Sequence, residues 1–346
     1  MTLGIIDVGT NSIHLLLGIL GLTGKFHVIL KERDLARVGE GGLVQGRLTR
    51  KAMRRGLGVL ERYAALLKRF QVDAVEAVAT SAVRDAGNGR AFVRQARSRT
   101  GIPLRIISGR QEARLIYLGV VQGRHLHGST AIVTIGGGSA QVIQGDGGRP
   151  HYVASLPLGS ARLAQRFIEH DPPRREEVEQ LQAYVRKRWA PVSRGLRRYR
   201  VRQAIGSSAT IQQLMEAAYL LTHRRLTSKR RLSISQRVLR QMVRWLAGST
   251  AEERMQLPGL DPRREDLALP TAVVLLSWME SCGIRSVHFA PGSLREGLVM
   301  EYLIQHHQRR RTPAHPIVDR FQQNGNGLAP VLRRRTLRPP ARIRSS

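Results

Sequence analysis

The sequence predicts an α/β protein made of two related lobes. Three observations predict it: a strand-turn-strand motif written twice, an alternation of apolar strands and amphipathic helices after each copy, and a length of 346 residues, which suits two domains. The first copy is Ile5-Ile6-Asp7-Val8-Gly9-Thr10-Asn11-Ser12-Ile13-His14-Leu15-Leu16. The second is Ile132-Val133-Thr134-Ile135-Gly136-Gly137-Gly138-Ser139-Ala140-Gln141-Val142-Ile143. At this constant offset Asp7 falls on Thr134, Gly9 on Gly136, Ser12 on Ser139 and His14 on Gln141. Each copy is a β-branched run, a tight Gly/Ser/Asn turn and a second apolar run, the pattern of two adjacent antiparallel strands. Glycines also allow backbone N–H groups to converge on one point, and such a nest holds anions.

The other elements follow in order. Residues 26–37 continue the first sheet after a Thr-Gly turn. Residues 49–70 place Leu57, Leu60, Ala64 and Leu67 at helical spacing behind Thr49 as cap. A buried strand is expected at 74–79, a helix at 88–100 and a strand at 104–107. Ser108 then opens a helix at 111–122. The second lobe starts at about Ala131. Asp171-Pro172-Pro173 announces a helix at 174–196. A strand at 201–205 leads to a helix capped by Ser207 and ending at Leu221. A basic loop covers 224–231, and helices follow at 236–247 and 267–281. The last strand, 287–289, runs through Pro291-Gly292-Ser293 into a helix at 294–306. The expected lobes are 1–127 and 128–305, with the last helix free to pack back on the first. Residues 306–346 hold ten arginines, one aspartate and five prolines. They cannot build a core and are expected to be a disordered tail.

Composition bounds the function. The apolar fraction of 42% suits a globular body. The longest nearly apolar run, 267–279, is too short to span a membrane. No basic segment precedes an apolar stretch at the N-terminus, and Cys282 is alone, which excludes an internal disulfide and a cysteine-rich zinc site. A cytoplasmic location without membrane attachment is the expectation, and a homodimer is left open. The chain carries 57 basic against 25 acidic residues, a net charge of +32, and only six of the basic residues are lysine. A codon bias toward arginine is one source of this excess. A polyanionic partner is the other, since the planar guanidinium bonds two phosphate oxygens at once. Nucleic acid is disfavoured, because aromatic residues are only 5% and show no RNA-binding pattern.

Eight segments together resemble the exopolyphosphatase and guanosine pentaphosphate phosphatase family. Asp7-Val8-Gly9-Thr10-Asn11-Ser12 resembles its first phosphate loop, and Gly136-Gly137-Gly138-Ser139 its second. Val38-Gly39-Glu40-Gly41-Gly42-Leu43 is similar to its Gly-Glu-Gly segment. The run Ala79-Thr80-Ser81-Ala82-Val83-Arg84-Asp85-Ala86-Gly87-Asn88 resembles its Thr-Ser-Ala motif. Ile106 through Leu115 is similar to its catalytic-glutamate segment. Ser155-Leu156-Pro157-Leu158-Gly159, the Gly206–Thr210 turn and Ser293-Leu294-Arg295-Glu296-Gly297 also match, in family order.

The resemblance covers about residues 1–305, in the short two-domain form, and implies two actin-like (ribonuclease H-like) lobes with a cleft between them. It implies release of terminal phosphate from inorganic polyphosphate or guanosine pentaphosphate by Mg²⁺-assisted attack of water. Glu112 would be the catalytic base and Asp7 the metal ligand, through water. Gly9, Thr10, Asn11, Ser12, Gly136, Gly137, Gly138 and Ser139 would bind phosphate. Arg84 would reach a phosphate too, unless it is a surface arginine, and Arg295 has the same two readings. His14 reads as a packed strand residue. The Gly206–Thr210 turn is either a nucleoside contact or a well-capped βα turn.

Two positions depart from the family pattern. Its second loop usually carries an aspartate and a glutamate where this chain has Thr134 and Gln141. That implies weaker metal binding and slower turnover, and a more positive cleft. The alternative is a non-catalytic or weakly active regulator that binds polyphosphate or guanosine polyphosphate. The Arg84 and Glu112 segments argue against an ATP-using kinase of the same fold.

Overall fold

The computed structural model describes residues 1–21, 25–124, 126, 128–221 and 232–309. The Thr-Gly turn, the basic loop and nearly all of the arginine-rich tail lie outside them. The first sheet contains β1 (Thr2–Val8), β2 (Ile13–Leu20), β3 (Phe26–Asp34), β4 (Ala74–Ala79) and β5 (Leu104–Ile106), in the order β3-β2-β1-β4-β5. The second contains β6 (Thr130–Ile135), β7 (Ala140–Gly145), β8 (Tyr152–Leu156), β9 (Gln203–Gly206), β10 (Ser233–Ser235) and β11 (Ser286–Phe289), in the order β10-β11-β9-β6-β7-β8. With β10 set aside, the two orders are the same. In each, the first three strands are antiparallel and the next two join in parallel. The turn repeat of the sequence is therefore a repeat of whole lobes. Its register is kept: Asp7 lies opposite His14, and Thr134 opposite Gln141.

The helices are α1 (Arg50–Arg69), α2 (Ser81–Arg84), α3 (Gly89–Thr100), α4 (Gly109–Val121), α5 (Ser160–Phe167), α6 (Arg175–Leu196), α7 (Ala209–Leu220), α8 (Gln236–Gly248), α9 (Ala251–Gln256), α10 (Ala268–Cys282) and α11 (Leu294–Arg309). Thr49 caps α1 by accepting from the Ala52 N–H, as its sequence position predicts. Ser108 and Gln111 cap α4 reciprocally. The cap of α7 is Ser208, not Ser207: its hydroxyl accepts from the Ile211 N–H. The Ser207 hydroxyl instead donates to the Gly292 carbonyl, tying the start of this turn to the segment before α11. Strand β3 stops at Asp34, short of the expected 37, and Arg37 adopts a left-handed backbone. Strand β8, helix α5, helix α9 and the 3₁₀ segment Pro262–Leu267 were not expected from periodicity. Each is short, so period gives little signal.

Three apolar clusters form the core. One fills the second lobe around Trp189, Trp278 and α10. One fills the outer face of the first lobe around Phe92, Leu57 and Tyr63. The third joins the lobes: Leu3, Ile5 and Val78 of the first sheet and Ile132, Ile143 and Ile205 of the second meet α4 and α11. Helices α4 and α11 cross at glycines. A Cβ on Gly297 would come within 1.9 Å of the Leu115 carbonyl oxygen, and one on Gly119 within 2.1 Å of the Ser293 oxygen. Only glycine permits this backbone-to-backbone approach. It fixes α4, which carries Glu112, against α11, which carries Arg295.

Candidate active site

The two glycine turns face each other across a cavity of ≈ 180 Å³. Its walls include Asp7, Thr10, Asn11, Ser12, Glu112, Thr134, Gln141 and the Gly136–Ser139 turn. Each turn is closed by one hydrogen bond, Gly9 N–H to Ser12 O at 3.0 Å and Gly136 N–H to Ser139 O at 2.9 Å. The outward carbonyls are taken by neighbouring segments. Thr10 and Asn11 carbonyls accept from the Gly39 and Arg37 N–H groups. Gly136 and Gly137 carbonyls accept from the Ser160 and Arg162 N–H groups, and the Gly138 carbonyl from Arg162 Nε. The amides of Thr10, Asn11, Ser12, Gly137, Gly138 and Ser139 have no protein acceptor among the described residues. Asn11 Nδ2 is buried without a partner as well. Donors left without a protein partner on a cavity wall mark a place for an acceptor-rich ligand. A Cβ on Gly138 would lie 2.4 Å from Thr10 Oγ1 and 2.6 Å from Ser81 Oγ, so the second turn packs directly against these two side chains of the first lobe.

Glu112 sits in the first turn of α4, and only 8% of it is exposed. Burial raises its carboxyl pKa to about 7; Arg84 opposes the shift, while Asp7 and Asp85 add to it. Its Oε2 accepts from Arg84 Nη1 at 2.8 Å. Arg84 therefore stands behind the glutamate and not on the cavity wall, with a carboxylate as its partner. Asp7, the penultimate residue of β1, has its carboxyl pKa raised to about 6, first by burial; Arg295 opposes this and Glu296 adds to it. Two carboxylates thus share one cavity, each resisting ionisation. A hydrated Mg²⁺ suits this donor set, because it binds through one or two carboxylates, keeps several waters and takes phosphate oxygens as further ligands. No cluster of three or more acidic, histidine or cysteine ligands occurs among the described residues.

At the Thr134 and Gln141 positions a neutral chain replaces charge. Thr134 Oγ1 donates to Gln141 Oε1 at 3.2 Å, and Gln141 Nε2 donates to Ser139 Oγ at 2.8 Å. Gln141 is 1% exposed, so its amide is fixed by these bonds. The opposite wall is cationic: Arg33, Arg264 and Arg295 surround His14. Arg295 Nη1 lies 2.6 Å from His14 Nδ1, and burial with these three arginines holds the imidazole neutral, its pKa pushed down to about 2. Arg264 keeps its Nε buried without a partner. The sequence reading missed Arg33, Arg264 and Arg162, because in a chain this rich in arginine no local pattern separates a site arginine from a surface one. Ser207, Ser208 and Thr210 close the cavity from the second lobe.

Comparison with known proteins gives a consistent answer. The profile of the Ppx/GppA phosphatase family matches residues 21–306. Exopolyphosphatase 1 of Mycobacterium tuberculosis is 30% identical over 311 residues, which cover 88% of this chain and 88% of that protein. The crystal structure of an exopolyphosphatase from Cytophaga hutchinsonii superposes with a TM-score of 0.80 at 27% identity, covering 87% of this chain and 97% of that one. The Aquifex aeolicus Ppx/GppA family member gives 0.73 at 27% identity, covering 89% and 99%. No helix among the described residues is long and apolar enough to cross a membrane.

Proposed function

Given that this chain belongs to the Ppx/GppA phosphatase family, we propose that it releases terminal phosphate from inorganic polyphosphate in the cleft between its two glycine turns. One observation carries this reading of the site: six unpartnered amides, the buried Glu112 and the half-buried Asp7 share a single cavity. Phosphoryl transfer needs an aligned water, neutralised oxygens and little else. The two turns bind the phosphate oxygens and fix the chain end. Glu112 orients the attacking water and accepts its proton. Asp7 would hold a hydrated Mg²⁺, which supplies positive charge to the phosphate oxygens. Guanosine pentaphosphate carries the same anhydride and is the second substrate to compare.

The test is orthophosphate release from long-chain polyphosphate and from guanosine pentaphosphate, with and without Mg²⁺. Release from polyphosphate that depends on Mg²⁺ is expected. Saturating polyphosphate bound without any release would leave a binding protein and remove the hydrolase reading.

The pH profile has a defined sign. A carboxyl whose pKa lies near 7 is neutral below that pH and cannot accept a proton. The rate should therefore climb as pH rises through about 7 at low Mg²⁺ and level off above it. Raising Mg²⁺ should move this limb to lower pH, because the cation favours ionised Asp7 and Glu112. A rate independent of pH between about 6 and 8 at low Mg²⁺ would separate Glu112 from the proton transfer.

Thr134→Asp with Gln141→Glu should raise hydrolysis at limiting Mg²⁺ by roughly tenfold, the size of one stronger metal contact. Both side chains already line the cavity and already touch. Rates at several Mg²⁺ concentrations check it, and an unchanged Mg²⁺ dependence in a folded double variant would show that these positions no longer serve the metal.

A further inference from the structure

Arg162 of α5 crosses from the second lobe to the first. Its Nε donates to the Gly138 carbonyl at 2.9 Å and its Nη1 to the Leu43 carbonyl at 3.2 Å. Its Nη2 reaches Ser81 Oγ at 3.2 Å and the Asp85 carboxylate. The side chain is mostly enclosed. Asp85 is shared between two guanidiniums: Oδ2 accepts from Arg162 and from Ser81 Oγ, and Oδ1 accepts from Arg84 Nε at 3.2 Å. Arg84 in turn holds Glu112 through Nη1 and also donates to the Ile107 carbonyl. A continuous chain of charge-assisted bonds therefore runs from the second glycine turn to Glu112, and it crosses the lobe interface at Arg162.

We propose that Arg162 is a positioning residue that occupies Asp85, keeps Arg84 on Glu112, and so aligns the glutamate only while the second glycine turn is seated on the first lobe. The inference rests on the hydrolase reading above and adds a coupling to it. The reason is competition for one guanidinium. Arg84 already touches Asp85 through Nε, and a small rotation would give the fork-on-carboxylate pairing that arginine prefers. While Arg162 neutralises Asp85, that pairing gains little and Nη1 stays on Glu112. Opening of the lobes pulls Arg162 off with Gly138, leaves Asp85 to Arg84, and loosens the base. Closure and alignment become one event, which limits turnover to the closed state.

The experiment compares Arg162→Ala, Asp85→Asn and the double variant, each checked for folding by thermal melting. Arg162→Ala should lower kcat by roughly 10- to 100-fold, the effect of a misplacement of about 1 Å, with KM for polyphosphate changed far less. Adding Asp85→Asn should recover most of the loss, because no free carboxylate then competes for Arg84. Asparagine still accepts from Ser81. A double variant as slow as Arg162→Ala, or a loss confined to KM, would overturn the proposal. If Arg162→Ala does not fold, Arg162→Gln keeps a donor for the Gly138 carbonyl and removes the charge, and the same outcomes apply. A crystal structure of the folded variant reads the inference without turnover: Arg84 should have left Glu112 for Asp85. Arg84 still at hydrogen-bond distance from Glu112 refutes it whatever the activity. A displaced Arg84 in a protein whose wild type releases no orthophosphate would sink the hydrolase reading instead.

Discussion

Replacing Glu112 with glutamine is expected to slow orthophosphate release by roughly 10²–10⁴, with polyphosphate affinity nearly unchanged. The substitution keeps the shape and one carbonyl oxygen for Arg84 Nη1, so the bond now made to Oε2 survives in neutral form. What it removes is the proton acceptor. The amides that bind phosphate belong to the two turns and are untouched, which is why rate and affinity should separate. The same substitution makes a second prediction with opposite sign. Burial raises the Glu112 pKa from 4.5 to about 7. The folded state therefore holds this proton more tightly than the unfolded chain, and stability falls as pH rises from about 4.5 to about 7. Glu112→Gln removes that loss, so the free variant should melt no lower than wild type at pH values above about 7. Steady-state kinetics, equilibrium binding and melting curves check the three parts. An unchanged rate would remove Glu112 from the mechanism.

Gly297→Ala is expected to destabilise the fold by about 3 kcal/mol or more, at the upper end of overpacking effects. A new Cβ would fall 1.9 Å from the Leu115 carbonyl oxygen and 2.5 Å from its carbon. These are backbone atoms of α4 and cannot rotate aside as a side chain would. The helices must separate, and they carry Arg295 and Glu112 on either side of the cavity. Denaturant unfolding should show a lower midpoint, and the residual folded protein should turn over slowly. Gly58 is the control: a Cβ there meets nothing within 4 Å, and alanine has the better helix propensity, so Gly58→Ala in α1 should leave stability equal or higher. Gly297→Ala with wild-type stability would mean that the α4–α11 crossing is looser than its backbone distances indicate.

Much of this was legible in the sequence for a physical reason. The doubled turn fixes its own strands, because glycine and β-branched residues leave few alternatives, and Asp7 and Thr134 then occupy the same cross-strand address in each lobe. Glu112 was named through the family resemblance of its segment, and Ser108 adds the physical part, because its cap defines where α4 starts and puts the glutamate in the first turn. Short elements such as α5 and β8 were not, since a few residues establish no period. Arg84 had two readings, a phosphate contact or a surface arginine; its side chain is mostly enclosed, and its protein partners are Glu112 and Asp85. Arg162, Arg33 and Arg264 were invisible, because what distinguishes them is a partner distant in the chain, Asp85 or Gly138 for the first of them and the cavity wall for the others.

The glycine crossing of α4 and α11 also bears on how the chain is made. The apolar side of α4, with Leu115, Ala113 and Val120, is covered by Leu294, Leu298 and Val299, residues translated last among the described elements. A ribosome that has released the first sheet and its helices has therefore delivered a lobe with one face bare. Those contacts join positions nearly two hundred residues apart, and loop closure over such distances is slow. During that interval the exposed face invites association with other nascent chains. Synthesis stopped before α11 would leave this face of α4 uncovered, even though every strand of the first sheet had already been made.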